Sequence, residues 1–189
     1  KRLYNMTCAT QGPAVRRPGF KYVLDLDLLG SNIDLTKPTR MIPFIRSETE
    51  AYVLLFYQID SSGTTRTRCA VFYEGQAVLD GGGDPYYFNV LTELGEESLA
   101  YDIANFDYAQ SLDEIIISQR GIKPRIIKFY AKDNWVESPF ENETGYAEPL
   151  TPADTPYWND TNGWPERVTL HQQRLVFVAS LLYKATIWI

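Results

Sequence analysis

Residues 41–80 read MIPFIRSETEAYVLLFYQIDSSGTTRTRCAVFYEGQAVLD. Four apolar runs stand in this stretch, at 41–47, 51–59, 67–75 and 76–80. Val, Ile, Phe and Tyr dominate them, and such side chains suit a pleated, half-buried surface. The clusters SETE (47–50) and DSSGTT (60–65) are turn-forming, and Gly75-Gln76 is a tight turn before the last run. The stretch predicts four successive strands joined by short turns.

The same plan recurs downstream. FDYAQS (106–111) precedes DEIIISQ (113–119), KPRIIKFYA (123–131) and WVESPFE (135–141), with GIKP and KDN as turns. A third copy opens with VTLHQQ (168–173), continues through RLVFVAS (174–180) and ends on ATIWI (185–189). Each copy has a short first strand, a strongly apolar second strand, a turn and a third strand, and the first two add a fourth. Repeats of about 60 residues exceed the roughly 40–50 of ordinary propeller blades. The excess falls in a helix candidate and in a Pro-rich loop. Serial antiparallel four-stranded modules predict an all-β chain built of propeller-like blades with one short helix. An irregular β-sandwich or barrel is the rival architecture. A blade cannot bury both faces alone, so the apolar strand-like end fits a fragment of a larger chain.

Four segments follow from this reading: an N-terminal arm with the first strands (1–40), a first β module with a loop and helix (41–105), a second with the Pro-rich loop (106–166), and the start of a third, truncated module (167–189). In the arm, a short strand, a turn-rich loop at 11–19 and a strand at 20–27 are expected, because Pro13, Pro18 and Gly19 deny helix continuity. The helix candidate is 92–101, where Thr92 can cap the start and Glu93, Glu96 and Glu97 suit the positive end of the dipole. The loop at 141–166 is long enough to be functional or to cross an interface.

Composition narrows the function. Apolar residues make up 44% and aromatics 14%, as in a folded protein, and 18 Lys and Arg against 24 Asp and Glu leave a net charge of −6. That balance disfavours wrapping nucleic acid, which draws on clustered cations. No apolar run approaches the ~20 residues of a membrane span. Cys8 and Cys69 form no CxxC pair and read as buried free thiols.

Chemistry-bearing patterns are weak. RVTLHQQRLVFVAS (167–180) interrupts a strand with His171, Gln172, Gln173 and Arg174, and His171 is the single histidine. A catalytic histidine needs a nucleophile and an orienting carboxylate, and a metal site needs further ligands. No G-x-S-x-G accompanies it. These four residues read instead as a structural junction that satisfies backbone groups where one strand turns into the next, matching AQSLDE before IIIS. Asp80 and Asp84 flank three glycines, but the alternating ligands of a calcium loop and the Lys-Ser/Thr of a phosphate loop are missing. The acidic GEESLAYD reads as a solvated face. AVRRPGFKY gathers Arg16, Arg17, Pro18, Gly19 and Lys21 into a subunit-contact candidate. Asn5, Asn142 and Asn159 match the glycosylation acceptor pattern, which matters only in a secreted eukaryotic chain. No catalytic, cofactor-binding or metal-binding residue is expected, and no cofactor.

Five stretches in order resemble one family. QGPAVRRPGFKYV (11–23), RMIPFIRSETEAYVLLF (40–56), FDYAQSLDEIIISQRGIKPRIIKFYAKDNW (106–135), VTLHQQRLVFVAS (168–180) and ATIWI (185–189) resemble segments of the tail nozzle, or tail tubular protein B, of short-tailed bacteriophages and related prophages. Order and spacing agree over nearly the whole chain, and LLYK after Ser180 departs from the family pattern. The resemblance implies a non-enzymatic virion protein with β-propeller domains, assembled in the host cytoplasm. It implies a six-fold homo-oligomeric ring around the DNA channel, beneath the portal and adaptor and beside tail fibres or spikes. An acidic lumen would let duplex DNA slide past, whereas bound cations would create salt-dependent friction. A carbohydrate-binding or carbohydrate-processing propeller is the alternative, marked by two facing carboxylates beside stacked Trp or Tyr. A secreted adhesion module is the third.

Overall fold

A computed structural model describes residues 6–8, 14–16, 22–29, 33–34, 36–61, 64–90, 102–140 and 157–188. The described part is all-β, with four antiparallel sheets. The helix expected at 92–101 and residues 141–156 of the Pro-rich loop lie outside the described residues.

A small hairpin pairs β1 (Met6–Cys8) with β2 (Ala14–Arg16). Part of the expected loop at 11–19 is therefore a strand. The strand expected at 20–27 does not form over its described residues: 22–25 are irregular and Leu26–Leu29 make a 3-10 turn. The apolar residues Leu24, Leu26, Leu29 and Ile33 instead cover one face of the first large sheet. Burial of side chains, rather than ladder pairing, explains why this run is hydrophobic.

The first large sheet has the order β3 (Arg40–Ile45), β4 (Ala51–Ser61), β5 (Thr64–Tyr73), β6 (Gln76–Ala77), with β7 (Tyr87–Val90) also paired to β5. The fourth run ends earlier than its sequence suggests, and Leu79 makes only an isolated bridge to Pro85. The second sheet runs β8 (Asp107–Ser111), β9 (Glu114–Gln119), β10 (Ile122–Ala131), β11 (Asn134–Pro139). The third runs β12 (Arg167–His171), β13 (Arg174–Val178), β14 (Ile187–Trp188).

The sheets stack in series. Ile42, Phe44, Tyr52, Leu54, Phe56 and Val71 of the first sheet share one core with Ile115, Ile117, Ile127 and Trp135 of the second. Phe44 and Tyr52 meet the Trp135 ring edge-on, with centroids 4.8 and 5.7 Å away. The opposite face of the second sheet, carrying Ala109, Ile116 and Ile126, packs on Val168 and Phe177 of the third. Strand patterns follow from this stacking. β3 is an edge strand with one buried face, and its side chains alternate between exposed and buried. Residues 115–118 of β9 are all buried because both faces of their sheet are covered.

The described part of the long loop contributes to the core. Trp158 and Trp164 are buried between the second and third sheets, and Trp158 meets Phe177 edge-on at 5.0 Å. Aromatic pairs of this kind contribute about 0.5–1.5 kcal/mol beyond their area burial.

Candidate functional site

The His171–Arg174 stretch is a two-residue hairpin turn. His171 pairs with Arg174, and Gln172 and Gln173 between them hold φ of +49° and +64°. Two consecutive positive φ values match the twist of a tight hairpin, a conformation that Asn-Gly adopts more easily than Gln-Gln. All four residues are exposed, and among the described residues none of their side chains makes a hydrogen bond. Backbone conformation closes this junction. A second two-residue turn lies within AQSLDE, where Ser111 pairs with Glu114 and Leu112 holds φ of +52°.

Asp80 serves its own loop. One carboxylate oxygen accepts the N–H groups of Gly82 and Asp84 at 2.8 and 3.1 Å, while the Asp80 N–H donates to the Asp84 carbonyl at 2.8 Å. The Asn159 side chain likewise accepts the N–H groups of Thr161 and Asn162. Cys69 is a free thiol with no exposure, and burial raises its pKa well above the ordinary value. Among the described residues, no group of three or more His, Cys, Asp and Glu could hold a metal ion, and no helix is long and apolar enough to cross a membrane. Arg16 ends β2 opposite Met6 and Cys8 ends β1 opposite Ala14, while Arg17, Pro18 and Gly19 lie outside the described residues, as do Glu96, Glu97, Asn5 and Asn142.

The dense polar chemistry lies between sheets. Strand β8 is the hub, because its side chains alternate between two neighbours. Toward the first sheet, the Gln110 amide accepts the Ile45 N–H at 3.0 Å and donates to the Ile45 carbonyl at 2.7 Å. Toward the third, the Asp107 carboxylate accepts the Val168 N–H at 3.1 Å. Arg46 bridges Asp113 at 2.7 Å and Glu50 at 2.9 Å, and its guanidinium lies 4.4 Å from the Phe129 ring centre. Hydrogen bonds to Asp113 and Glu50 hold that guanidinium's pKa above its ordinary value. Arg40 donates to the Phe106 carbonyl and sits 4.5 Å over the same ring. The Trp135 backbone N–H donates to the Tyr86 hydroxyl at 2.9 Å. Ser118 donates to the Pro165 carbonyl, and Arg120 bridges Glu166 at 3.2 Å.

One ion pair is fully enclosed. Arg125 and Glu137 form a two-pronged pair on adjacent strands β10 and β11, with both side chains 3% exposed. They share a sheet face with Ile127, toward the first sheet. Both residues lie in strands that the sequence predicts, but their diagonal pairing across β10 and β11 follows only from the register.

Two shallow grooves are found among the described residues. One of about 410 Å³ is lined by Tyr73, Glu74, Leu79 and Lys132, and the Lys132 ammonium lies 3.9 Å over the Tyr73 ring. Tyr73 also packs against Tyr52 at 5.0 Å, so the ring offers no open platform for a sugar. The other, about 250 Å³, is lined by Asp102, Asn105, Gln119 and the Arg120–Glu166 pair. No protein-family model matches the sequence, and no curated protein matches it significantly.

Proposed function

We propose that the chain is a structural subunit of a bacteriophage tail, part of a nozzle ring below the adaptor and portal that encloses the DNA ejection channel. Its sheets are propeller-like blades, its partners further copies of itself, the adaptor ring and tail fibres or spikes, and its location the virion. The observation that carries the reading is the serial face-to-face stacking of antiparallel modules whose first strands, β3, β8 and β12, adjoin one another.

The stretches that resemble the nozzle family supply these contacts. Arg40, Ile45 and Arg46 belong to RMIPFIRS, and Asp107, Gln110 and Asp113 to FDYAQSLD. Residues that lock rigid modules together are what a load-bearing tube requires. Negative-stain imaging and native mass of the full chain test the proposal. A closed ring is expected, and a persistent monomer at high concentration counts against it. A channel lined by Lys and Arg would separately sink the idea of an acidic, low-friction lumen.

A further inference from the structure

Strand β3 is an edge strand with apolar side chains in the open. Met41 is 70% exposed and Ile45 59% exposed. Such an edge is a template for pairing with another chain, and native proteins blunt it with charge, proline or cover. The cationic guards are occupied here: Arg40 is held by the Phe106 carbonyl, and Arg46 by Asp113 and Glu50.

Ladder geometry shows which backbone groups face outward. The Arg46 N–H bonds the Glu50 carbonyl at 2.9 Å, so the alternate residues Met41, Pro43 and Ile45 turn their backbone groups away from β4. Pro43 has no N–H. Gln110 takes both backbone groups of Ile45, with the donor and acceptor spacing that a neighbouring strand would supply. We propose that Gln110 is an edge plug: it fills the strand-acceptor edge of β3 in cis and blocks pairing of β3 with β3 of a second copy. In that blocked pair, related by a two-fold axis through Pro43, Met41 of one copy would exchange N–H···O bonds with Ile45 of the other. Pro43 would offer only its carbonyl.

The test compares the full chain with Gln110→Ala and Gln110→Ala/Pro43→Thr by sedimentation and by amide exchange at Ile45. In Gln110→Ala, Ile45 exchange should rise about three- to tenfold, the loss of a modest hydrogen bond. The dissociation constant for self-association should fall by at least about tenfold relative to wild type. Restoring the missing donor at residue 43 should tighten association further. Gln110→Leu, of similar volume, carries the same comparison should the alanine variant lose its circular dichroism signature. A variant that exchanges faster at Ile45 yet associates no more than wild type overturns the proposal, as does unchanged exchange.

Discussion

Gly163 and Leu181 leave no room for a side chain between them. A Cβ placed on Gly163 lies 2.5 Å from the Leu181 Cβ and 2.7 Å from its backbone nitrogen. The glycine also holds φ of +81°, in the region that other residues enter only with strain. Around this contact, the Asn162 carbonyl accepts the Leu182 N–H at 3.0 Å and the Ser180 hydroxyl at 3.2 Å. The loop carrying Trp158 and Trp164 is thereby clasped to the segment that follows β13. Gly163→Ala should destabilise the protein by about 2–4 kcal/mol, adding left-handed strain to a steric clash. Chemical denaturation measures it, and a loss within experimental error would show that the clasp is loose.

Asp107 joins the second and third sheets through one carboxylate-to-amide bond. Replacing it with alanine leaves the Val168 N–H without that acceptor, at a cost of about 1–3 kcal/mol. Asp107→Asn keeps an acceptor oxygen and should recover most of the loss. Equal destabilisation by both variants would assign the effect to charge rather than to the hydrogen bond.

The Arg125–Glu137 pair should behave as a buried unit. Arg125→Met takes the guanidinium from an enclosed carboxylate and should cost about 3–5 kcal/mol. Arg125→Met/Glu137→Leu should be less damaging than the sum of the single changes, with a coupling of about 1–3 kcal/mol. Strict additivity in a double-mutant cycle would show that the pair makes no net interaction.

Glu50 gives a sign-defined pH effect. The Tyr52 hydroxyl donates to its carboxylate at 2.6 Å and, with Arg46, holds the Glu50 pKa below its ordinary 4.5. A depressed carboxylate pKa adds stability that is present above the unfolded value and is lost as pH falls through the folded one. Wild type should therefore exceed Glu50→Gln in stability at neutral pH, and the gap should close as pH falls through and below 4.5. A gap that stays constant down to strongly acidic pH would exclude this carboxylate as the source.

How much of the fold the sequence discloses depends on what each feature requires. The apolar runs at 51–59, 113–119 and 123–131 announce β4, β9 and β10 because strand periodicity is local. The run at 20–27 misleads, since Leu24 and Leu26 are apolar in order to cover a sheet rather than to join one. Trp158 and Trp164 sit among prolines and turn formers, so only tertiary packing turns that loop into core. Gln110 and Asp107 read as ordinary strand residues until β3 and β12 are brought alongside. A side chain that bonds the backbone of a strand 65 residues away leaves no local mark in the sequence.

The hairpin at residues 171–174 offers the opposite kind of change, one that should stabilise. Gln172 and Gln173 both occupy positive φ, whereas Asn-Gly reaches that conformation at less cost. Gln172→Asn/Gln173→Gly should raise stability by about 0.5–1.5 kcal/mol without altering any packed contact. His171→Gln, at an exposed position, should leave stability within about 0.5 kcal/mol of wild type. Phe177→Asp, three residues beyond the turn, should abolish folding. Phe177 is 4% exposed and meets Phe140 at 5.3 Å and Trp158 at 5.0 Å, so a carboxylate there would have to be buried among aromatic rings. Thermal melts of the three variants separate a turn set by backbone conformation from one set by its side chains. If His171→Gln proves the costly change and Phe177→Asp the mild one, the histidine has a role that its exposed place in the hairpin does not express.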